Sequence, residues 1–203
     1  MEVECDKKEC DGDCPDSITY LAEEVLLNGE LIVYPTETLY GLGGDAFDVL
    51  VLEEIRKVKE APPGKKISTA YKSLEQASSY LDIPDLAWEL GEHFLPGPLT
   101  IVVEMDGNTH GIRVPDHPIA QNIVEKFGPI TSTSANIHGR PDPIDMDTAK
   151  TQLGSKVKLY INCGECEYKE GTTVLLIDGE DIEVLRKGAI SLETIGDKIG
   201  RKI

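Results

Sequence analysis

Leu31-Ile32-Val33-Tyr34-Pro35-Thr36-Glu37-Thr38-Leu39-Tyr40-Gly41-Leu42-Gly43-Gly44-Asp45 is the stretch on which the fold turns. Leu31 to Tyr34 read as a buried strand, and the chain then passes through hydroxyls and an acid into glycines. Strand ends are where α/β folds place ligands, and glycine lets backbone amides approach an anion closely. The segment therefore reads either as a ligand site or as a plain strand-to-helix connection with glycines at positive φ. GxxxxGK[ST] and GxGxxG are both absent, so it is neither a Walker A loop nor a dinucleotide fingerprint.

Upstream, Ile18, Leu21, Ala22 and Val25 recur at helical spacing until Asn28-Gly29 breaks the pattern. Downstream, helical spacing returns from Val49 to Lys59 and stops at Ala61-Pro62-Pro63-Gly64, which cannot continue a helix. Further helices are expected from Ser73 to Leu81, from Pro84 through Phe94, and over 118–127, 147–153 and 192–199. Strands are expected at Leu99 to Val103, Ile130 to Thr133, Val157 to Ile161, Thr172 to Ile177 and Ile182 to Leu185. This alternation predicts an α/β (α+β type) domain with a twisted mixed parallel and antiparallel sheet flanked by helices. One domain over residues 17–203 follows an acidic leader over residues 1–16.

That leader carries seven acids and two lysines without apolar periodicity, and reads as solvated and flexible. The whole chain has 203 residues and a formal net charge of −17, which disfavours a surface that grips duplex nucleic acid or an anionic membrane. It leaves room for a local cationic cleft. The longest apolar runs are four residues, far short of the roughly 20 needed to span a bilayer, and no secretory signal opens the chain. The expected address is the cytoplasm. Five cysteines, an odd number, argue against a secreted disulfide framework. Cys163-Gly164-Glu165-Cys166 offers two thiolates, but Cys5, Cys10 and Cys14 are spaced poorly for the second hairpin of a four-thiolate zinc site, so structural zinc is not expected.

Three further stretches carry chemistry-bearing residues. Ile130-Thr131-Ser132-Thr133-Ser134-Ala135-Asn136 sends Ser132 and Ser134 to one face of an extended segment, where they converge on a polar ligand or bond their own backbone. Arg113, in Gly111-Ile112-Arg113-Val114-Pro115, sits inside an apolar strand, and a buried guanidinium needs a carboxylate or phosphate partner. Arg186 is in a similar setting. Lys59, Lys65 and Lys66 bracket a Pro-Gly turn, as anion-steering cations or as solvated lysines.

Taken in order, PTETLYGLGGDA, the lysine-bearing turn at 59–66, FLPGPLT, GIRVPDHP, STSAN and VLRKGAI resemble the YrdC-like threonylcarbamoyl-AMP synthase family in its single-domain form, over roughly residues 26–199. The resemblance implies a nucleotidyltransferase with a concave groove that makes L-threonylcarbamoyladenylate and pyrophosphate from L-threonine, bicarbonate and ATP. It further implies Mg2+ on the ATP phosphates and a tRNA threonylcarbamoyl transferase complex as product acceptor, forming N6-threonylcarbamoyladenosine at tRNA position 37. Carried over residue by residue, the threonine-binding positions fall on Thr38, Arg113 and Ser132. The ATP-binding positions fall on Lys59, Lys65, Thr109, Ser134, Asn136 and Arg186, Lys65 being our own substitute for a missing cation. Lys59, Arg113, Ser134 and Asn136 are the expected catalytic set.

The chain departs from the family pattern at two positions. Ala61 stands where the K-x-R motif has its arginine, and Ala70 where a threonine-contacting histidine is usual. Lys65 or Lys66 is expected to restore the missing charge. The alternatives are an RNA-binding or ribosome-maturation protein making weak contact with tRNA or double-stranded RNA through the same groove, and a related carbamoyl-adenylate chemistry.

Overall fold

The computed structural model describes residues 1–5 and 16–203. In chain order these form β1 (Glu2–Glu4), α1 (Asp16–Leu27), β2 (Ile32–Tyr34), β3 (Gly41–Gly43), α2 (Val49–Val58), β4 (Ser68–Ala70), α3 (Leu74–Ser78), α4 (Asp85–Phe94), β5 (Leu99–Met105) and β6 (Asn108–Arg113). They continue as α5 (Pro118–Phe127), β7 (Ile130–Ser134), α6 (Met146–Leu153), a 3-10 turn (Gly154–Lys156), β8 (Leu159–Asn162), β9 (Thr173–Asp178), β10 (Asp181–Arg186) and α7 (Leu192–Ile199).

The ten strands build one mixed sheet in the order β1-β8-β2-β3-β7-β4-β6-β5-β9-β10. The pairs β1–β8, β2–β8, β4–β6 and β5–β9 are parallel, and the rest are antiparallel. The expected mixed sheet with flanking helices is therefore present. Helix starts follow local chemistry. The Asp48 carboxylate accepts from Leu50 N at 2.8 Å to cap α2, Ser73 caps α3, and Pro118 occupies the first turn of α5 behind His117.

Three apolar clusters fix the layers. On one face, α2 and α6 cover the β2, β3 and β8 half through Leu31, Val33, Leu42, Val51 and Ile55. The same face of the other half is covered by α3, α4 and α7 through Leu90, Leu99, Ile101, Ile112 and Ile195. On the opposite face α1 and α5 cover only the first half, packing on Ile32, Tyr34, Ile130 and Ile161. The strand register then lays one row across this second face. Tyr34 pairs with Gly41, Gly41 with Ser134, and Ser132 with Ser68. Ala70 pairs with Arg113, Arg113 with Thr100, Thr100 with Val174, and Val174 with Arg186. Where the helices stop, this row is left as the floor of a cleft.

Of the solvated leader expected over residues 1–16, residues 6–15 lie outside the described residues, while Glu2–Glu4 form the edge strand β1, parallel to β8, and Met1 donates its terminal amine to Lys158 O at 2.7 Å. Strand pairing uses backbone groups, so an acidic edge strand needs no apolar pattern, and Glu2 gains an ion pair with Lys150. Cys10 and Cys14 lie outside the described residues. Among the described residues no helix is long and apolar enough to cross a membrane.

Candidate functional site

The cleft has a volume of about 430 Å3. Its floor is the hydroxyl and cation row, and two loops wall it: Thr36 to Gly41 leaving β2, and Ser134 to Asp142 leaving β7. Among the described residues six cations line it, Lys59, Lys65, Lys66, Arg113, Arg140 and Arg186, against one acid, Asp142. In a chain of net charge −17 that local reversal makes the cleft a receptor for an anion.

Arg113, at the end of β6, is 3% exposed. One of its Nη atoms donates to Glu37 Oε1 and to Thr38 Oγ1, the latter at 3.2 Å. The second Glu37 oxygen accepts from Asp116 N at 3.1 Å. Burial pushes the Glu37 carboxyl up from its ordinary value while Arg113 pulls it down, and burial likewise lowers Arg113. Arg113 Nε is the one buried side-chain polar atom without a partner among the described residues. An unsatisfied buried guanidinium donor is rare and calls for a functional reason, and Arg113 itself lines the cleft.

The Thr36 hydroxyl sets the loop that presents Glu37 and Thr38. It donates to Leu39 O at 2.6 Å and accepts from Leu39 N at 3.3 Å, the local turn that serine and threonine favour. Gly41 lies under the Tyr34 ring so closely that a Cβ there would sit 2.7 Å from its Cζ. Tyr34 donates to Thr131 O at 3.1 Å, tying this loop to β7.

Lys59 follows α2 and turns inward because Glu60 takes the left-handed φ of 50° and ends the helix. Its Nζ donates to Ser134 O, to Asn136 O at 2.9 Å and to Asn136 Oδ1 at 3.2 Å. Burial first, and Lys65 second, lower its pKa to about 8. Asn136 Oδ1 also accepts from Ser134 Oγ at 2.6 Å, and Asn136 Nδ2 donates to Arg140 O at 3.0 Å. Across the cleft, Arg186 Nε and Nη2 each donate to Thr172 at 2.9 Å.

Of the residues expected from sequence, Thr38, Lys59, Lys65, Arg113, Ser132, Ser134, Asn136 and Arg186 line this single cleft. Thr109 does not. It pairs with Glu104 near the outer end of the β5–β6 hairpin, four residue pairs beyond Arg113. The hairpin reaches the cleft mouth through the neighbouring Asn108 instead, which accepts from Lys66 Nζ at 3.2 Å. Ala70 is buried beside Arg113 on the cleft face, so a longer side chain there would meet the guanidinium's surroundings. Sequence reading missed Glu37 as the partner of Arg113, although an acid between two threonines of one loop was its signal. It also missed Thr172, which carries no local signal. No group of three or more His, Cys, Asp or Glu among the described residues is placed to hold a metal ion.

A family model for Sua5, YciO and YrdC, carrying the description telomere recombination, matches residues 24–188. The chain belongs to the Sua5/YciO/YrdC family. A putative threonylcarbamoyl-AMP synthase of Mycobacterium tuberculosis is 35% identical over 183 residues, covering 85% of this chain and 84% of that protein. The crystal structure of P. abyssi Sua5 complexed with L-threonine matches all of this chain with a TM-score of 0.91 at 28% identity. This chain spans 62% of that one. E. coli YciO matches with a TM-score of 0.83 at 26% identity, over 96% of this chain and 98% of its own. Neither Ala61 nor Ala70, the two departures read from the sequence, is among the residues that line the cleft, and Ala70 is fully buried in the apolar cluster beneath α1 and α5.

Proposed function

We propose that this chain is a threonylcarbamoyl-AMP synthase, joining L-threonine, bicarbonate and ATP into L-threonylcarbamoyladenylate and releasing pyrophosphate. The observation that carries the reading is the unpartnered Nε of Arg113 in a cleft that holds six cations and a row of hydroxyls. Arg113, held by Glu37, lines the cleft with Thr38 and Ser132, and a guanidinium there is the group suited to an amino-acid carboxylate. Threonine's amine and bicarbonate give a carbamate with loss of water. A carbamate oxygen then attacks the α-phosphorus, the bond to the bridging oxygen breaks, and pyrophosphate leaves with that electron pair.

No protein nucleophile is required. The residues align the reactants, exclude water and offset the charge that grows on the leaving pyrophosphate. Ser134 and Asn136 form one wall, held by Lys59, and Arg186 faces them. With Asp142 as the only carboxylate in the lining among the described residues, the donor set suits a magnesium ion that would enter on the nucleotide phosphates. The product is unstable in water, so the next reaction must transfer the threonylcarbamoyl group to an acceptor, as a cytoplasmic tRNA threonylcarbamoyl transferase complex would.

The test is pyrophosphate release from ATP and bicarbonate with and without L-threonine. Release that depends on threonine, with the adenylate found by mass spectrometry, supports the reading. Release independent of threonine, or none, overturns it.

A further inference from the structure

The six cations of the cleft are not equally available. An ammonium has three N–H donors, and Lys59 Nζ meets three acceptors, the carbonyls of Ser134 and Asn136 and Asn136 Oδ1. Arg113 is joined to Glu37 and Thr38, and Arg186 to Thr172. These three hold the cleft's shape. Lys65, Lys66 and Arg140 form no ion pair among the described residues. Lys65 Nζ lies 3.2 Å from His138 Nδ1 and Lys66 Nζ 3.2 Å from Asn108 Oδ1, contacts that orient each lysine without a carboxylate to neutralise it. The Arg140 guanidinium makes no hydrogen bond among the described residues, although its backbone carbonyl is held by Asn136. All three are exposed, Lys65 and Lys66 on the loop between α2 and β4 and Arg140 on the loop that leaves β7.

We infer that Lys65, Lys66 and Arg140 form the polyphosphate clamp of this cleft, and that Lys59 is a positioning residue that holds the Ser134–Asn136 turn. Three solvent-facing cations on two loops match the charge of a triphosphate or a departing pyrophosphate, and Arg140 adds a bidentate fork. The two loops are linked through the Lys65–His138 contact and through His138 N, which donates to Lys59 O at 2.7 Å. A polyphosphate bound across them would draw both loops over the floor. Ala61 fits this arrangement, since the cation absent there is replaced from the far side of the Pro62-Pro63-Gly64 turn. The clamp rests on the nucleotide-using reading above, so its test uses a ligand that needs no turnover.

Inorganic tripolyphosphate is titrated calorimetrically into the full chain and its variants, with thermal melts as the fold check. The wild-type protein is expected to bind. Lys65→Ala/Lys66→Ala/Arg140→Ala should fold normally, since the side chains are exposed, and weaken binding at least tenfold. Lys59→Met should stay within about threefold of wild type. Should Lys59→Met fail to fold, Asn136→Ala, which leaves Lys59 in place, carries the same expectation. In turnover the triple variant should raise KM for ATP, whereas Lys59→Met should lower kcat with KM for ATP little changed. No binding by wild type, wild-type affinity in the triple variant, or a tenfold loss with Lys59→Met would each overturn the clamp. If tripolyphosphate binding follows the three residues but threonine-dependent pyrophosphate release is absent, the clamp stands and the synthase reading falls. Release with unimpaired triple-variant kinetics gives the reverse.

Discussion

Glu37 and Arg113, 76 positions apart in sequence, form a charge pair in which each side chain is only 4% exposed. Every other ion pair among the described residues has side chains at least 27% exposed, where water screens the attraction. Removing one member of a buried pair leaves an uncompensated charge, which costs about 3–5 kcal/mol. Glu37→Gln should therefore lower stability by that order in chemical denaturation and weaken threonine binding. The double variant Glu37→Gln/Arg113→Met should recover much of the stability and none of the binding. Additive losses in that cycle would mean the pair is not coupled.

Lys59 titrates within reach of ordinary assays. Its folded pKa of about 8 lies below the usual 10.5, so between those values the unfolded chain holds a proton that the folded chain has released. By linkage this group's contribution to stability rises with pH across that window. Function goes the other way, because a neutral amine has two N–H donors for three acceptors. The rate of pyrophosphate release should fall above about pH 8 while the melt does not weaken through this group. Lys65→Met, removing the neighbouring charge that helps to lower Lys59, should move the falling limb upward. A profile flat to pH 10 would show that Lys59's charge is not needed.

Much of this was legible in the chain, for identifiable reasons. Leu99 to Val103 and Ile130 to Thr133 declare themselves as strands because they are buried and β-branched, and 192–199 declares its helix by apolar spacing. The strands Glu2–Glu4, Gly41–Gly43 and Ser68–Ala70 do not, since each is three residues long and two of the three are acids, glycines or hydroxyls. Their order comes from partners far away in sequence, as when Gly41 pairs with Ser134. The same limit applies to the cleft. Sequence pointed to Arg113 and to its need for an anion, but only the pairing of β6 beside β4 and the return of the 36–40 loop decide that the anion is Glu37.

Gly41 is required by its neighbour and not by its backbone angle. An added Cβ would lie 2.7 Å from Tyr34 Cζ and 2.8 Å from Cε1, in a ring with no exposure and nowhere to move. Gly41→Ala should cost about 1–3 kcal/mol by overpacking. The displaced ring would lose its bond to Thr131 O and shift the loop bearing Thr38. The melt should drop and KM for threonine should rise together. Gly41→Ala/Tyr34→Phe would not restore either, because the clash is with ring carbons, whereas Gly41→Ala/Tyr34→Leu should restore part of the stability.

His117 makes the fold sensitive to acid. As the cap of α5 its Nδ1 accepts from Ile119 N at 3.3 Å, a role open only to the neutral ring. Burial lowers its pKa from 6.5 to about 4. As pH falls from 6.5 towards 4 the unfolded chain takes up a proton that the folded chain refuses. Stability therefore declines through that window, by up to about 3 kcal/mol from this one group. His117→Asn keeps a side-chain acceptor at the cap and cannot titrate, so it should flatten the decline between pH 6.5 and 4 while nearly matching wild type at pH 7.5. His117→Ala should flatten it too, but with about 1 kcal/mol lost at every pH because the cap is gone. Denaturant midpoints at four pH values for the three proteins separate titration from capping. An unchanged slope in His117→Asn would assign the acid sensitivity to the chain's carboxylates instead.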